Sequence, residues 1–355
     1  MKVCVLGTRG FPEIQGGVER HCECLYTTVH DEDIEFIVFR RRPYVRKTPL
    51  YKHIRFIDLP STKIKGFEAF LHSFLSSIYV LFINPDIVHI HNIGPSLFTP
   101  LLRLFGIKVV MTYHSANYEH KKWGTIARNL LLLSEKIAFK TSNRMIFVNR
   151  FQLEKVPSKY RSKSVYIPNG VSRLQKIERI DYLKTLNVLP HKYILSVGRI
   201  TPEKGFDILI RAFKKVNTDY KLVIAGGVET ENSYFNELKQ IFPSERIVFT
   251  GYVFGERLQQ LYSHASLYVL SSRNEGFPLV LLEAMEYHLN VLVSDIPASH
   301  LVNLNRSDYY PTTDIDELSV HIQKKLSEPI SRNYNLDEFN WQKIAEQTVK
   351  LFKES

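Results

Sequence analysis

The chain has 355 residues, which exceeds what one hydrophobic core normally organises, since cores stop growing at roughly 250–300 residues. With 44% apolar and 23% charged residues it is an ordinary globular composition, which excludes a disordered polyelectrolyte. The net charge of +11 sits in one half, with 25 basic against 13 acidic residues in 1–168 and 22 against 23 in the remainder, and that confinement argues against a general nucleic-acid binder.

The first residues, MKVCVLG, run straight into a strand-like apolar segment. They lack the longer apolar core and cleavage site of a signal peptide, so the mature chain is expected to begin here. After the strand KVCVLG (2–7) comes GTRGFPEIQGGVER, whose glycines at 7, 10, 16 and 17 do not match the dinucleotide fingerprint. This longer loop delivers Gly16 and Gly17 to the start of a helix, where backbone amides can touch a phosphate or a sugar, with Arg9 and Glu13 as polar contacts. Cys4, Cys22 and Cys24 are odd in number and irregular in spacing, so they build no disulfide framework and fit a reducing cytosol. No Cys/His pair completes a zinc site beside Cys22 and Cys24. The acidic run Asp31-Glu32-Asp33 lies between a helix and a strand at the wrong end for a ligand.

Further strands are expected at EFIVFR (35–40), IRFIDL (54–59), DIVHIH (86–91), KVVMTYH (108–114), RMIFVN (144–149) and SVYIP (164–168). Several are apolar on both faces, which is the mark of a parallel sheet covered by helices on each side. Two basic clusters, Arg40-Arg41-Arg42 with Arg46 and Lys47, and Lys121 and Lys122 through Arg128, Lys136, Lys140 and Arg144, suit anionic surfaces or phosphorylated substrates. The segment Phe67–Ile83 is short for a membrane span and contains Glu68 and His72, so it reads as a buried or membrane-surface helix. His89 and His91 share one strand face without a third ligand at suitable spacing, so no metal site is expected. His114 closes the fifth strand and faces the ligand crevice, placed to bind a sugar hydroxyl and stabilise developing positive charge.

The pattern restarts after the turn Pro168-Asn169-Gly170, with strands at 193–200, 221–227, 246–253, 267–272 and 291–295 and helices at Phe206–Lys215, Tyr234–Phe242, Gly255–His264 and Leu279–Tyr287. Alternation of this kind predicts an α/β chain with two doubly wound parallel sheets, each binding ligands beyond its strands' carboxyl ends. The expected domains are 1–168, 169–335, and a helical tail 336–355 that returns to the first. In SVGRITPEKGF, Arg199 and Lys204 form a cation pair at a strand end, suited to a diphosphate. In NEGFPLVLLE, Glu275 lies in a loop, Gly276 permits close backbone approach, and Pro278 suits a helix's first turn. The amides of Phe277, Leu279 and Val280 would then form an anion site, while Glu283, inside the helix, would accept hydrogen bonds from vicinal hydroxyls such as a ribose's.

Taken together, GGVE, TYHS, IPNGV, GRITPEKG and NEGFPLVLLEAM resemble the retaining glycosyltransferases of family 4, over the whole chain. The resemblance implies the GT-B fold, two Rossmann-like domains facing across a cleft. It implies that Glu283 holds the ribose of a nucleoside-diphosphate sugar, Glu275 the sugar, Arg199 and Lys204 the diphosphate, and Tyr252 and Val253 border the base. Gly16 and Gly17 would complete the phosphate and acceptor side, with His114 near the sugar and Tyr118 toward the acceptor. No cofactor and no metal are implied, and the acceptor hydroxyl attacks from the leaving-group face, with retention. Pro278 stands where several relatives carry glycine, so one backbone donor is missing.

For this family the basic first domain, with Tyr44, Tyr118 and Trp123, implies a lipid-linked saccharide acceptor, an anionic membrane surface as partner, and no nucleic acid. The expected place is the cytoplasmic face of the cell membrane, in O-antigen or capsule assembly. A sugar-nucleotide epimerase or a sugar phosphorylase of the same fold is the alternative; an epimerase would change the donor sugar without any acceptor.

Overall fold

The computed structural model describes residues 1–64, 66–116, 118, 124–228, 233–241, 245–328 and 330–355. Lys121, Lys122, Trp123 and Phe242, named above, lie outside the described residues. Two compact units form, one from Met1–Gly170 with Glu338–Ser355, the other from Val171–Asp337.

In the first unit the strands are β1 (Lys2–Leu6), β2 (Glu35–Arg41), β3 (Ile54–Leu59), β4 (Ile87–His91), β5 (Lys108–Tyr113), β6 (Arg144–Phe147) and β7 (Ser164–Tyr166). Its helices are α1 (Gly17–Thr28), α2 (Phe67–Ile83), α3 (Thr99–Leu104), α4 (Thr125–Thr141) and α5 (Arg150–Glu154). The sheet order is β3-β2-β1-β4-β5-β6-β7, all neighbours parallel. Winding outward in both directions from β1 and β4 leaves a crevice between those two strands, where the covering helices diverge. One face packs Cys4, Leu6, Ile37, Phe39, Val88, Ile90 and Val109 into a core, as β-branched and aromatic residues on a doubly covered sheet should.

The second unit contains α6 (Asp181–Thr185), β8 (Tyr193–Val197), α7 (Phe206–Lys215), β9 (Lys221–Ala225), α8 (Ser233–Ile241), β10 (Ile247–Gly251), α9 (Glu256–Ser263), β11 (Leu267–Leu270), α10 (Leu279–Glu286), β12 (Asn290–Ser294), β13 (Tyr309–Tyr310) and α11 (Ile315–Ser327). Its parallel order, β10-β9-β8-β11-β12-β13, repeats the first unit's arrangement, and the crevice falls between β8 and β11. The strand β13 was not expected from sequence, because two residues carry no readable alternation. The final helix, α12 (Trp341–Lys353), belongs to the first unit, where Phe352 meets His89 at 5.1 Å between ring centroids and Trp341 meets His21 at 5.5 Å.

Among the described residues no helix is long and apolar enough to cross a membrane. The far edge of the second sheet is held by a fully buried Asp308, 2.7 Å from Lys325 Nζ and 2.5 Å from Arg332 Nη1. Its backbone partner Asn305 completes a capping box. Replacing Asp308 by alanine strands two cations against a buried gap, so unfolding in urea should show a loss of about 3–5 kcal/mol. A loss under about 1 kcal/mol would show the network to be dispensable.

Candidate active site

At the crevice of the second unit two loops that follow β8 and β11 are tied together. Arg273 donates to Asp207 at 2.7 and 2.9 Å and to the carbonyl of Pro202 at 2.6 Å, while its own amide donates to Glu203 O at 2.8 Å. Asp207 is held in turn by the Tyr234 hydroxyl at 2.7 Å. Ser271 Oγ donates to Lys204 O at 2.8 Å. Gly205 has φ +64°, and any Cβ there would fall 2.1 Å from Ser271 O, so only glycine lets the loops close this tightly.

The result is a short contact. Lys204 Nζ donates to Glu275 Oε1 at 2.5 Å, and Ser272 Oγ donates to the same oxygen at 2.6 Å. Lys204 and Glu275 are largely buried, with side chains 19% and 11% exposed, so the pair is not a solvated surface bridge. The methylenes of Lys204 pass over Gly198, within 3.3 Å of where a Cβ would stand, which sets its amine beside the strand end that carries Arg199.

The helix after this loop, α10, starts at Leu279 with Pro278 as its N-cap. Pro278 adopts φ −81° and ψ 84°, a tight turn in which the Leu279 amide donates to Phe277 O at 3.0 Å. The expectation that Leu279 offers an open amide is therefore not met: proline folds the chain back on itself one residue before the helix. Gly276 and Phe277 sit in the loop, and Val280 is in the first turn. Glu283 accepts from the buried Tyr262 hydroxyl at 3.0 Å. Burial, and then the Glu283 carboxylate, hold the Tyr262 phenol well above its usual range, so it remains a donor. Tyr252 and Val253 follow β10, whose last residue, Gly251, accepts from the Gly226 amide beyond β9.

In the first unit the glycine loop behaves differently from its expected role. Glu19, in the first turn of α1, is buried and accepts from the Arg9 amide at 3.1 Å. Its carboxylate oxygen lies 1.9 Å from where a Cβ on Gly16 would be. The helix start at Gly16 and Gly17 is thus already occupied by an anion from the chain itself, for the ordinary reason that a carboxylate is favoured at that end. Arg9 bonds Glu68 at 3.2 Å and lies over the Tyr44 ring, while Glu13 pairs with Lys47 at 2.9 Å.

His114, just past β5, is buried and does not stand alone. Its Nε2 is 3.0 Å from His91 Nδ1, and its ring packs edge-on against His21 at 4.7 Å between centroids. Burial, and then the neighbouring rings His21 and His89, push His114 well below the usual imidazole range, so it is neutral. His21 and His91 were not singled out as partners of His114, because His21 comes from α1 and no sequence spacing links the three. One ring nitrogen from each of His21, His91 and His114 lies within 4.8 Å of the others, the geometry of a metal-capable group.

With this geometry the chain matches two family models: "Glycosyltransferase Family 4" over residues 15–173 and "Glycosyl transferases group 1" over residues 183–338. This chain is a family 4 glycosyltransferase. The glycosyltransferase is 25% identical to the Methanocaldococcus jannaschii glycosyltransferase MJ1607, over 99% of this chain and 98% of that one. It is 26% identical to O-antigen chain mannosyltransferase B of Escherichia coli over 56% of this chain and 54% of that one. Among solved structures it resembles sucrose-phosphate synthase from Thermosynechococcus elongatus, with TM-score 0.83, 21% identity and coverage of 99% and 98%. It also resembles Anabaena Alr3699/HepE in complex with UDP and glucose, with TM-score 0.75, 17% identity and coverage of 100% and 98%. These likenesses establish the GT-B fold, with two Rossmann-like domains.

Two surface expectations need correction for this glycosyltransferase. Arg40 is buried, bonded to Asp58 at 2.7 and 2.9 Å and set over the Phe56 ring, and Arg41 is buried 3.5 Å from Glu68. Basic residues on an inner strand are drawn to nearby carboxylates, so Arg40 and Arg41 are withdrawn from the surface patch, while Arg42, Arg46 and Lys47 stay exposed. Tyr44 likewise turns inward and donates to Glu68. Tyr118 packs beside Tyr113 in the first unit's second core. The site residues that sequence reading overlooked, Arg273, Asp207, Ser272 and Tyr262, support the named ones through tertiary contacts, and only Arg273, adjacent to NEGFP, carried any local signal.

The first unit buries several imidazoles in the neutral form, and this sets its pH response. Burial lowers His21 to about 4 and His72 and His89 to about 3, from 6.5 when exposed. Since the unfolded chain binds more protons between those values, stability is full above about pH 6.5 and falls progressively toward pH 3–4. Trp341 belongs to this unit and packs against His21. Thermal melts followed by tryptophan fluorescence should lose midpoint temperature from pH 6.5 downward, before carboxylates begin to protonate. A midpoint constant from pH 7 to 5 would contradict the buried neutral rings.

Proposed function

We propose that this enzyme transfers a sugar from a nucleoside-diphosphate donor, held by the second unit, to a hydroxyl of a lipid-linked glycan, with retention of anomeric configuration. The observation that carries the donor assignment is the Lys204–Glu275 pair at the β8–β11 crevice, beside Arg199. In this reading Arg199 and Lys204 neutralise the diphosphate as it departs, so the transfer itself needs no cofactor and no metal. Glu275 meets the sugar, and Glu283, oriented by Tyr262, receives the ribose hydroxyls. Tyr252 and Val253 border the base, the loop at Gly276, Phe277 and Val280 approaches the phosphates, and His114 accompanies the sugar as a neutral polar ring. Arg9, Glu13 and Tyr118 belong to the acceptor side, with Gly16 and Gly17 shaping the loop backbone. No side chain in this set is placed as a covalent nucleophile, which favours front-side attack by the acceptor over a glycosyl-enzyme intermediate.

The acceptor half of the reading rests on α2, whose polarity is inverted. Glu68, His72, Ser73, Ser76 and Ser77 face inward, while Phe67, Phe70, Phe74 and Phe82 are exposed. Phe98 meets both Phe70 and Phe74, at 5.4 and 5.8 Å between centroids. On α4, Ile126, Leu130 and Leu133 are exposed at helical spacing, and Lys136 and Lys140 continue that row. Helices in a parallel α/β layer begin at the strands' carboxyl edge, so both apolar rows start on the ligand side of this sheet. An apolar face bordered by lysines suits the cytoplasmic surface of an anionic membrane, where polysaccharide precursors such as O-antigen or capsule units are lipid-linked.

Replacing Glu283 by alanine should weaken nucleotide binding about 10–100-fold, read by thermal shift across a nucleotide-sugar panel. Replacing Lys204 by alanine should leave binding nearly intact and slow turnover about 100–1000-fold, as loss of a leaving-group contact does. Unchanged values in both variants would sink the donor assignment. In flotation assays the enzyme should rise with anionic vesicles and less with neutral ones, and a Phe70→Glu, Phe74→Glu variant should stay in solution. Equal recovery of variant and parent would remove the membrane reading while leaving the donor site untouched.

A further inference from the structure

The donor reading makes no use of His21 or His91, yet both are fully enclosed beside His114 at the crevice between β1 and β4. His21 Nδ1 lies 2.7 Å from Asn169 Oδ1. An amide oxygen only accepts, so Nδ1 carries the proton and Nε2 is a bare lone pair. That Nε2 is buried and has no partner. An orphaned acceptor in a ring 3% exposed is a costly arrangement unless something fills the space before it.

A chain of hydrogen bonds allows a lone pair on the second nitrogen. Tyr26 Oη is 2.7 Å from both His89 Nδ1 and His91 Nε2, and His89 Nε2 is 2.7 Å from Thr112 Oγ1. The phenol has one proton, so one of the two rings must donate to its oxygen. If His91 donates through Nε2, Tyr26 donates to His89 Nδ1 and His89 donates to Thr112, and every contact is satisfied. His91 Nδ1 is then a lone pair facing His114 Nε2 at 3.0 Å. With the His114 proton on Nδ1, three lone pairs converge, from His21 Nε2, His91 Nδ1 and His114 Nε2.

We propose that His21, His91 and His114 bind a divalent ion of the zinc class inside the first unit, with Asn169 fixing the His21 tautomer and Tyr26 placed to accept from His91 Nε2. Imidazole nitrogens select zinc and its late-transition neighbours, whereas magnesium and calcium demand oxygen ligands absent from this set. Each of two ligand rings gives its second N–H to an outer acceptor, the arrangement that orients histidines at zinc sites. Three protein ligands leave a fourth position open, and His114, the least buried of the three at 7%, marks the side from which an ion enters. Burial keeps all three rings neutral, hence ready to ligate. Binding then requires a tautomer change but no net loss of protons. Such an ion would join α1, β4 and the segment after β5 within the first unit.

The test uses the whole chain, stripped with a chelator and titrated with Zn²⁺ by calorimetry and with Co²⁺ by visible absorption. Expected are one Zn²⁺ per chain, the absorption bands of nitrogen-ligated Co²⁺, and no heat with Mg²⁺. His21→Gln should abolish both signals, while His300→Gln, at an exposed ring, leaves them unchanged. Asn169→Ala and Tyr26→Phe keep all three imidazoles and should weaken binding about 10–100-fold, so they carry the test if the His21 variant does not fold. No Zn²⁺ uptake by the parent, or uptake undiminished in His21→Gln and both outer variants, overturns the proposal. Donor binding measured on the same samples keeps this outcome separate from the donor assignment.

Discussion

A lysine and a glutamate separated by 70 residues of chain meet at 2.5 Å because β8 and β11 lie side by side and run the same way. Parallel neighbours release their following loops at one edge, and the reversal of winding between them opens that edge to a ligand. The contact depends on more than topology. Arg273, bidentate on Asp207 and bonded to the carbonyl of Pro202, pins the second loop against the first, and Ser271 closes the other side on Lys204. Charge-assisted bonds of this geometry are shorter and stronger than neutral ones, which lets a loop hold a functional group with the precision of a helix.

The first unit has the same strand order but fills its crevice with different chemistry. Where the second unit presents a lysine, an arginine and two glutamates, the first presents neutral imidazoles, a phenol and hydroxyls. Desolvation explains the difference. Rings from α1, β4 and β5 are enclosed by sheet and helices, with Trp341 and Phe352 of α12 packed beside them, so the charged imidazolium is disfavoured. One topology thus supports an ionic site in one unit and a tautomeric network in the other.

The inverted helix α2 follows from a local competition for the interior. Glu68 accepts from Arg9 and Tyr44 and lies 3.5 Å from the Arg41 guanidinium, so burying that charged group pairs it with two cations and a phenol at once. A helix that turns Glu68 inward must turn Phe67, Phe70 and Phe74 out, because they occupy other positions of the same 3.6-residue period. Each of these half-exposed rings forgoes about 1 kcal/mol of burial.

Sequence alone determined the strands other than β13 and the two-sheet plan, since apolar runs of strand length alternating with amphipathic segments leave few other solutions. It also singled out Arg199, Lys204 and Glu275 as candidates, because glycine and proline mark the loops that carry them, and Glu283 in the helix that follows. It misread the Gly16 and Leu279 backbone and the exposure of Arg40 and Arg41, and it paired neither Arg273 with Asp207 nor His21 with His91 and His114. Tertiary structure decided these. Whether an amide is open, a cation exposed or a ring partnered depends on what distant segments bring to it, and packing, not periodicity, makes that choice.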